Sequence, residues 1–295
     1  MTYHNIAIAM AGACLAISPA YSQTTQPPHI SAANVETSVR TLASDLFEGR
    51  APGTQGEDRT IGYLIGRFQD LGLEPGGPDG QWVQKVPLLH TQLGEARGIS
   101  VTEGGKTAAW QQGEQLYVST LQPTGDAIIK DAPMVFVGYG VKAPERGWDD
   151  FKGADLKGKI AVFLVNDPDY YAAKGEDPYG KFGGRTMTYY GRWTYKFEEA
   201  ARQGAIGALI VHDTPAAGYG WNVVVSPRGE NYDLVRAPDK VTSLILQGWI
   251  EGDAAAQLFA GARLDLPTLA KQARSDRKST RLNSSHRCIS YAVFC

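Results

Sequence analysis

MVFVGYGV (Met134–Val141) and KIAVFLV (Lys159–Val165) are apolar runs without polar alternation. A strand sends successive side chains to opposite faces, so a strand apolar at every position needs cover on both. Such strands belong to the sheet of an α/β fold. The sequence around them agrees. A helix is expected over Tyr195–Gln203 and closed by Gly204, a strand at Ala208–His212, a second at Val241–Leu246, and a helix over Gly252–Ala260. Residues 113–266 therefore read as one α/β module with a mixed sheet and flanking helices.

Upstream, residues 31–73 read as two helices. Ser31 is the candidate N-cap of the first, with Val35, Val39, Leu42 and Leu46 at helical spacing. After the loop Glu48–Gly53, Thr54 and Glu57 form a capping box for the second helix, whose stripe is Ile61, Leu64, Ile65, Phe68 and Leu71. Gly72 is its expected C′ residue. Gln81–His90 reads as a strand made an edge by Pro87, and a hairpin is expected to turn at Gly104-Gly105. Two amphipathic helices and a few strands do not enclose a core, so residues 23–112 read as an incomplete α/β portion.

Composition narrows the function. The chain of 295 residues is 43% hydrophobic and 20% charged, as folded proteins are. Its net charge of -2 offers no basic face to nucleic acid. Cys14, Cys288 and Cys295 all lie near the ends, so the body holds neither a disulfide nor a thiolate metal site. Ile6–Ile17 is too short for a stable membrane span and suits the apolar region of a secretory signal, with small residues Ala20 and Ser22 at the cleavage region. Residues 1–22 are thus expected to be a signal peptide, and the product to be exported, periplasmic or extracellular. Ser275–Cys295 is basic and Ser-rich, then abruptly apolar; it resembles a translated sequencing-adapter tail and is set aside from the fold.

No motif in the body specifies an active site. Gly138-Tyr139-Gly140-Val141-Lys142-Ala143 matches a dinucleotide fingerprint only superficially, because Pro144 stands where the phosphate-binding helix would begin, and a tight turn is expected instead. Gly105-Lys106-Thr107 lacks the P-loop's first glycine, since Ser100 holds that place. There is no G-x-S-x-G, no H-x-D and no H-E-x-x-H, and His29, His90 and His212 fall in separate segments. His212-Asp213 is expected in a solvated loop. Glu198-Glu199, beside Lys196 and Arg202, reads as a salt-bridged exposed helix face. Asp167 and Asp169 flank Pro168 in a loop and could serve acid–base work, but carboxylates alone specify nothing. No catalytic, cofactor-binding or metal-binding residue is assigned.

Two stretches nevertheless resemble a family. LASDLFEGRAPGTQGEDRTIGYLIGRFQDLGLEPGG (Leu42–Gly77) with WVQKVPL (Trp82–Leu88) is similar to the N-terminal segment of secreted bacterial zinc aminopeptidases. These belong to the metallopeptidase clan of glutamate carboxypeptidase and the transferrin receptor. VFVGYGVKAPERGWDDFKGADLKGKIAVFLVNDPDY (Val135–Tyr170), with FEEAARQGAIGALIVHD (Phe197–Asp213) and Tyr219–Trp221, resembles the protease-associated domain inserted in such enzymes. The resemblance implies 23–112 as the start of the peptidase domain, 113–266 as the insert, and 267–274 as the return to the peptidase domain. It also implies a hydrolase that removes N-terminal residues from peptides with two zinc ions. The family's ligands follow the insert, in a segment this sequence lacks, so none is carried onto a position here, and the chain as written is expected to be inactive and without zinc. The competing reading is a non-enzymatic module that binds protein or peptide. A subtilase with such an insert is disfavoured by Leu42–Gly77, which resembles no subtilase motif.

Overall fold

The computed structural model describes residues 30–94, 99–103, 105–237, 240, 242 and 244–275, and the backbone of 289–294. The expected signal peptide, His29 and all three cysteines lie outside these residues. The chain divides into two compact units at Lys85/Val86.

In the first unit, α1 (Ala32–Leu42) begins where Ser31 Oγ accepts from the Asn34 N–H. It stops before Leu46, because Glu48 and Gly49 take positive φ in a short 3-10 turn, and the Arg50 guanidinium donates to the Leu42 carbonyl. Helix α2 (Gln55–Asp70) starts with Thr54 Oγ1 accepting from the Glu57 N–H at 3.4 Å. The reciprocal bond shifts by one residue: the Glu57 carboxylate accepts from the Gly53 N–H at 2.6 Å. The helix ends in a Schellman motif, with Gly72 N–H on Gln69 O and Leu73 N–H on Phe68 O. Both helices keep open apolar faces. Among the described residues of this unit, Phe47 alone of the large apolar side chains is buried, edge-on to Tyr63. Val35, Val39 and Leu42 line an open hollow of about 520 Å³.

The second unit opens with β1 (Leu88–Gln92), which begins only after Pro87, so the expected Gln81–His90 strand is shorter and displaced. Next come β2 (Ile99–Glu103) and β3 (Lys106–Trp110), the expected hairpin, with Glu103 opposite Lys106. Then β4 (Leu116–Ser119), β5 (Asp126–Ala132) and β6 (Met134–Phe136) follow, with a small ribbon of β7 (Lys142–Ala143) and β8 (Trp148–Asp149). The chain continues through β9 (Ile160–Leu164), α3 (Trp193–Arg202), β10 (Gly207–Val211), α4 (Thr214–Ala217), α5 (Trp221–Val224) and β11 (Glu230–Leu234). It closes with β12 (Leu246–Ile250), α6 (Gly252–Gly261), α7 (Leu266–Ala273) and β13 (Ile289–Phe294). The strand expected at Val241–Leu246 thus begins where that stretch ends.

The central sheet has the order β4-β12-β10-β9-β6, with all but β4 parallel. Alternation along each strand builds two cores. Ile160, Val162, Leu209 and Val211 face α6, α7 and the second sheet, joining Ile99, Val101, Ile129 and Phe259. Ala161, Phe163, Ala208 and Ile210 face α3, packing with Phe197, Ala200 and Leu156. The fold is mixed α/β. The second sheet runs β3-β2-β13-β5. Its β13 belongs to the segment set aside from the fold on sequence, and its backbone pairs antiparallel with both β2 and β5.

The run Met134–Val141 leaves the sheet after Phe136. Gly138 and Gly140 both have φ of 64°, and the Gly140 N–H closes a turn on Val137 O, so the tight turn replaces the dinucleotide fingerprint. A Cβ at Gly140 would stand 2.2 Å from the Phe163 ring, whereas one at Gly147 (φ 62°) would meet nothing within 4 Å. Gly147→Ala should cost about 1 kcal/mol for the backbone conformation alone. Gly140→Ala should cost about 2 kcal/mol more, because Phe163 has no room to yield. Chemical denaturation of the two variants checks the difference; equal losses would refute the close packing.

Candidate functional site

The carboxyl ends of β6, β9 and β10 gather several of the unit's buried polar groups, Asn166, Asp167, Asp169, Lys196 and His212 among them. Between β9 and α3 the chain makes a long excursion, 166–192, with one short 3-10 turn. Loops of this length in compact domains need specific anchoring. Here the anchors are charged. Asp167 accepts from Thr188 N–H at 2.6 Å and Thr188 Oγ1 at 2.8 Å. Asp169 Oδ2 accepts from Phe182 N–H at 2.9 Å and Gly184 N–H at 3.1 Å. Asn166, at φ 71°, donates from Nδ2 to Ala216 O at 2.7 Å. Arg146 reaches in from the β7–β8 connection, lies over the rings of Phe182 and Tyr190, and donates to Lys181 O at 2.8 Å.

At the centre is Lys196, with none of its surface exposed. Its ammonium donates to Tyr139 O at 2.6 Å, Asn166 O at 3.1 Å and Tyr190 O at 3.4 Å. One side chain thereby ties together the turn after β6, the end of β9 and the end of the excursion. Burial pushes its pKa down to about 8 against the pull of Asp167 and Asp150. Asp150 accepts from Val141 N–H at 2.9 Å and Trp148 Nε1–H at 2.8 Å, yet burial raises it to about 7. Asp167 is raised for the same reason. No substrate reaches a lysine this deep, so the cluster anchors the loop.

Among the described residues of this unit, an accessible groove of about 460 Å³ lies between α3 and β11. Phe197 and Ala201 contribute apolar surface, while Trp193 and Tyr232 are exposed at it. Both of its guanidinium groups are paired locally. Arg202 meets Glu199 at 2.7 Å and Glu198 at 3.6 Å, and Arg236 grips Asp233 through two bonds of 2.9 and 3.2 Å.

Several sequence expectations need correction here. Lys196 and Glu199 are buried, not part of an exposed face, whereas Glu198 and Arg202 are exposed and form the expected i,i+4 pair at 3.6 Å, with Glu198 also accepting from Tyr189 OH at 2.6 Å. Lys196 lies beside Phe197 and four residues before Ala200, on the helix's inner stripe, and that spacing is the available signal. Asp167 and Asp169 are buried loop anchors. His212 is buried instead of solvated: its Nε2 is 3.0 Å from Tyr219 O, and Tyr219, Trp221 and Trp249 surround it. His90 stacks on Tyr232 and meets Glu230 at 3.0 Å. Among the described residues no three His, Cys, Asp or Glu side chains converge as a metal ion requires, so the zinc pair implied by the resemblance does not fit these residues. Nor is any described helix long and apolar enough to cross a membrane.

Among solved structures, the chain is similar to the aminopeptidase from Aneurinibacillus sp. strain AM-1 (16% identity, TM-score 0.39), over 90% of this chain and 44% of that one. It is also similar to BSAP, a zinc aminopeptidase from Bacillus subtilis (15% identity, TM-score 0.28), over 86% of this chain and 42% of that one. The chain spans less than half the length of either. No protein-family model and no curated protein matches it.

The buried charges set a pH dependence. Lys196 releases its proton near pH 8 when folded but near 10.5 when unfolded, so the unfolded chain holds more protons in that window and stability rises across it. Asp150 holds its proton to about pH 7 when folded against 3.8 unfolded, so stability falls as pH rises between those values. These groups place the minimum near pH 7–8. Lys196→Met should flatten the alkaline rise by roughly 1–3 kcal/mol, and Asp150→Asn the acid-side fall. Urea titrations from pH 5 to 10 check both limbs; unchanged slopes would refute the assignment.

Proposed function

We propose that this chain is part of an exported zinc aminopeptidase and carries that enzyme's N-terminal helices and protease-associated domain, without its zinc ligands. The observation that carries the reading is the contrast between the two units. The α/β unit covers both faces of its central sheet. The helix pair, whose sequence resembles the start of the peptidase domain, leaves Val35, Val39, Leu64, Phe68 and Leu71 open to solvent. Faces of this kind are built to pack on another layer. Peptides are the substrates of the complete enzyme in this reading, and export rests on the apolar stretch Ile6–Ile17. A second reading, a module that binds polypeptide without cleaving it, is favoured by the open groove between α3 and β11.

Two measurements test the proposal. The purified chain should neither bind zinc stoichiometrically nor release p-nitroaniline from leucine p-nitroanilide with zinc added; doing both would show that it holds a complete site. Sequencing the source DNA across codons 270–300 should show the frame running on into a segment with H-x-D and further His, Asp and Glu ligands. A stop codon directly after Cys295 would remove the peptidase reading and leave the binding module.

A further inference from the structure

The β1–β11 ribbon has a feature that its pairing leaves unused. The register sets Leu89 opposite Asp233 and Thr91 opposite Asn231. Just outside the strands, Leu93 N–H bonds to Gly229 O and Val235 N–H to Pro87 O. In an antiparallel pair the bonded positions alternate, so Gly229, Asn231, Asp233 and Val235 turn their backbone groups toward β1. Tyr232 and Leu234 turn theirs the other way, and β11 is an end strand of its sheet. Asn231, Tyr232 and Asp233 all line the groove against α3. Successive strand residues point to opposite faces, so three in a row can line one groove only if the strand presents its edge to it.

We propose that the open edge of β11 and the groove beside it bind an extended polypeptide segment, which adds to the ribbon as a further strand. The backbone N–H and C=O groups of Tyr232 and Leu234 supply the pairing. One ligand side chain enters between Trp193 and Tyr232 onto Phe197 and Ala201, and an aromatic or branched aliphatic group suits that surface. The groove's charges argue for this class of ligand. Both guanidinium groups at the groove are already engaged, Arg236 by Asp233 and Arg202 by Glu198 and Glu199, which disfavours recruitment of a phosphate and favours recognition by backbone pairing and apolar contact. An oligosaccharide could stack on the exposed aromatics, but it lacks the repeating donor and acceptor that an open strand edge matches.

The proposal takes from the function reading only that the partner is a polypeptide, and its test is independent of cleavage. The probe is the octapeptide Thr-Val-Thr-Phe-Thr-Val-Thr-Lys, acetylated and amidated at its ends so that it offers no free amino terminus to an aminopeptidase. Added to the full ¹⁵N-labelled chain, it should shift the Tyr232 and Leu234 amide resonances. N-methylation at alternate peptide positions should weaken binding at least tenfold. Leu234→Pro, which removes an edge N–H, should do the same, while Leu234→Ala should stay within threefold of the parent. If Leu234→Pro does not fold, the methylated peptide carries the test alone. Failure of the octapeptide to bind would overturn the proposal, as would binding indifferent to N-methylation, shifts confined to other residues, or preferential binding of maltohexaose at the same amides. None of these results would bear on the aminopeptidase reading.

Discussion

The fold depends on one constraint: β9, β10 and β12 are apolar on both faces, and both faces must be kept from water. Side-chain alternation divides Ile160 and Val162 from Ala161 and Phe163, and the parallel register extends that division across the sheet. Helix α3 covers one face; α6, α7 and the second sheet cover the other. Since the strands are parallel, the segments leaving β6, β9 and β10 emerge at the same end. The turn at Gly138–Gly140, the excursion 166–192 and Asp213 therefore meet there, which is where α/β sheets place their functional loops.

Holding that excursion requires buried polar groups, and the arrangement around Lys196 shows how their cost is limited. An ammonium removed from water is unfavourable unless its donors are satisfied. Three carbonyls from separate segments satisfy them, and each of those carbonyls would otherwise need a partner of its own. Asp150 and Asp167 supply opposite charge without a direct bond to the ammonium, and their own oxygens are taken up by backbone, hydroxyl and indole donors. The result is a loop held in one conformation, at the expense of a lysine and two carboxylates whose proton affinities are displaced.

The helix pair presents the opposite case. Every local signal is in place: Ser31 and Thr54 cap, Gly72 closes, and the apolar stripes are regular. Those signals determine that helices form, but not what covers them. The exposed Val35, Val39 and Leu71 show that a helix can be locally complete without being buried.

Much of the architecture could therefore be read before any coordinates. The two helices with their caps, the hairpin between β2 and β3, the doubly buried strand at Lys159–Val165, the helix closed by Gly204 and the turn after β6 all rest on interactions within a few residues. The displaced strand starts near Pro87 and at Leu246 arise because pairing partners, not local propensity, decide where a ladder begins. The polar groups were the hardest to read. From the sequence alone Lys196 is one charge among several on a helix surface, and Asp167 and Asp169 are loop carboxylates. Lys196 is held inside by the carbonyls of Asn166 and Tyr139, 30 and 57 positions away, and the two aspartates by donors 13 to 21 positions away in the excursion. The groove is illegible in sequence for the same reason, since α3 and β11 border it together only in the folded unit. The sequence by itself determined which segments form helices and strands and which faces must be buried, because caps, turns and apolar periodicity act over one or two turns of chain. Only the tertiary structure decided which charges lie inside and which strand edge stays open, because desolvation and pairing depend on what the rest of the chain brings alongside.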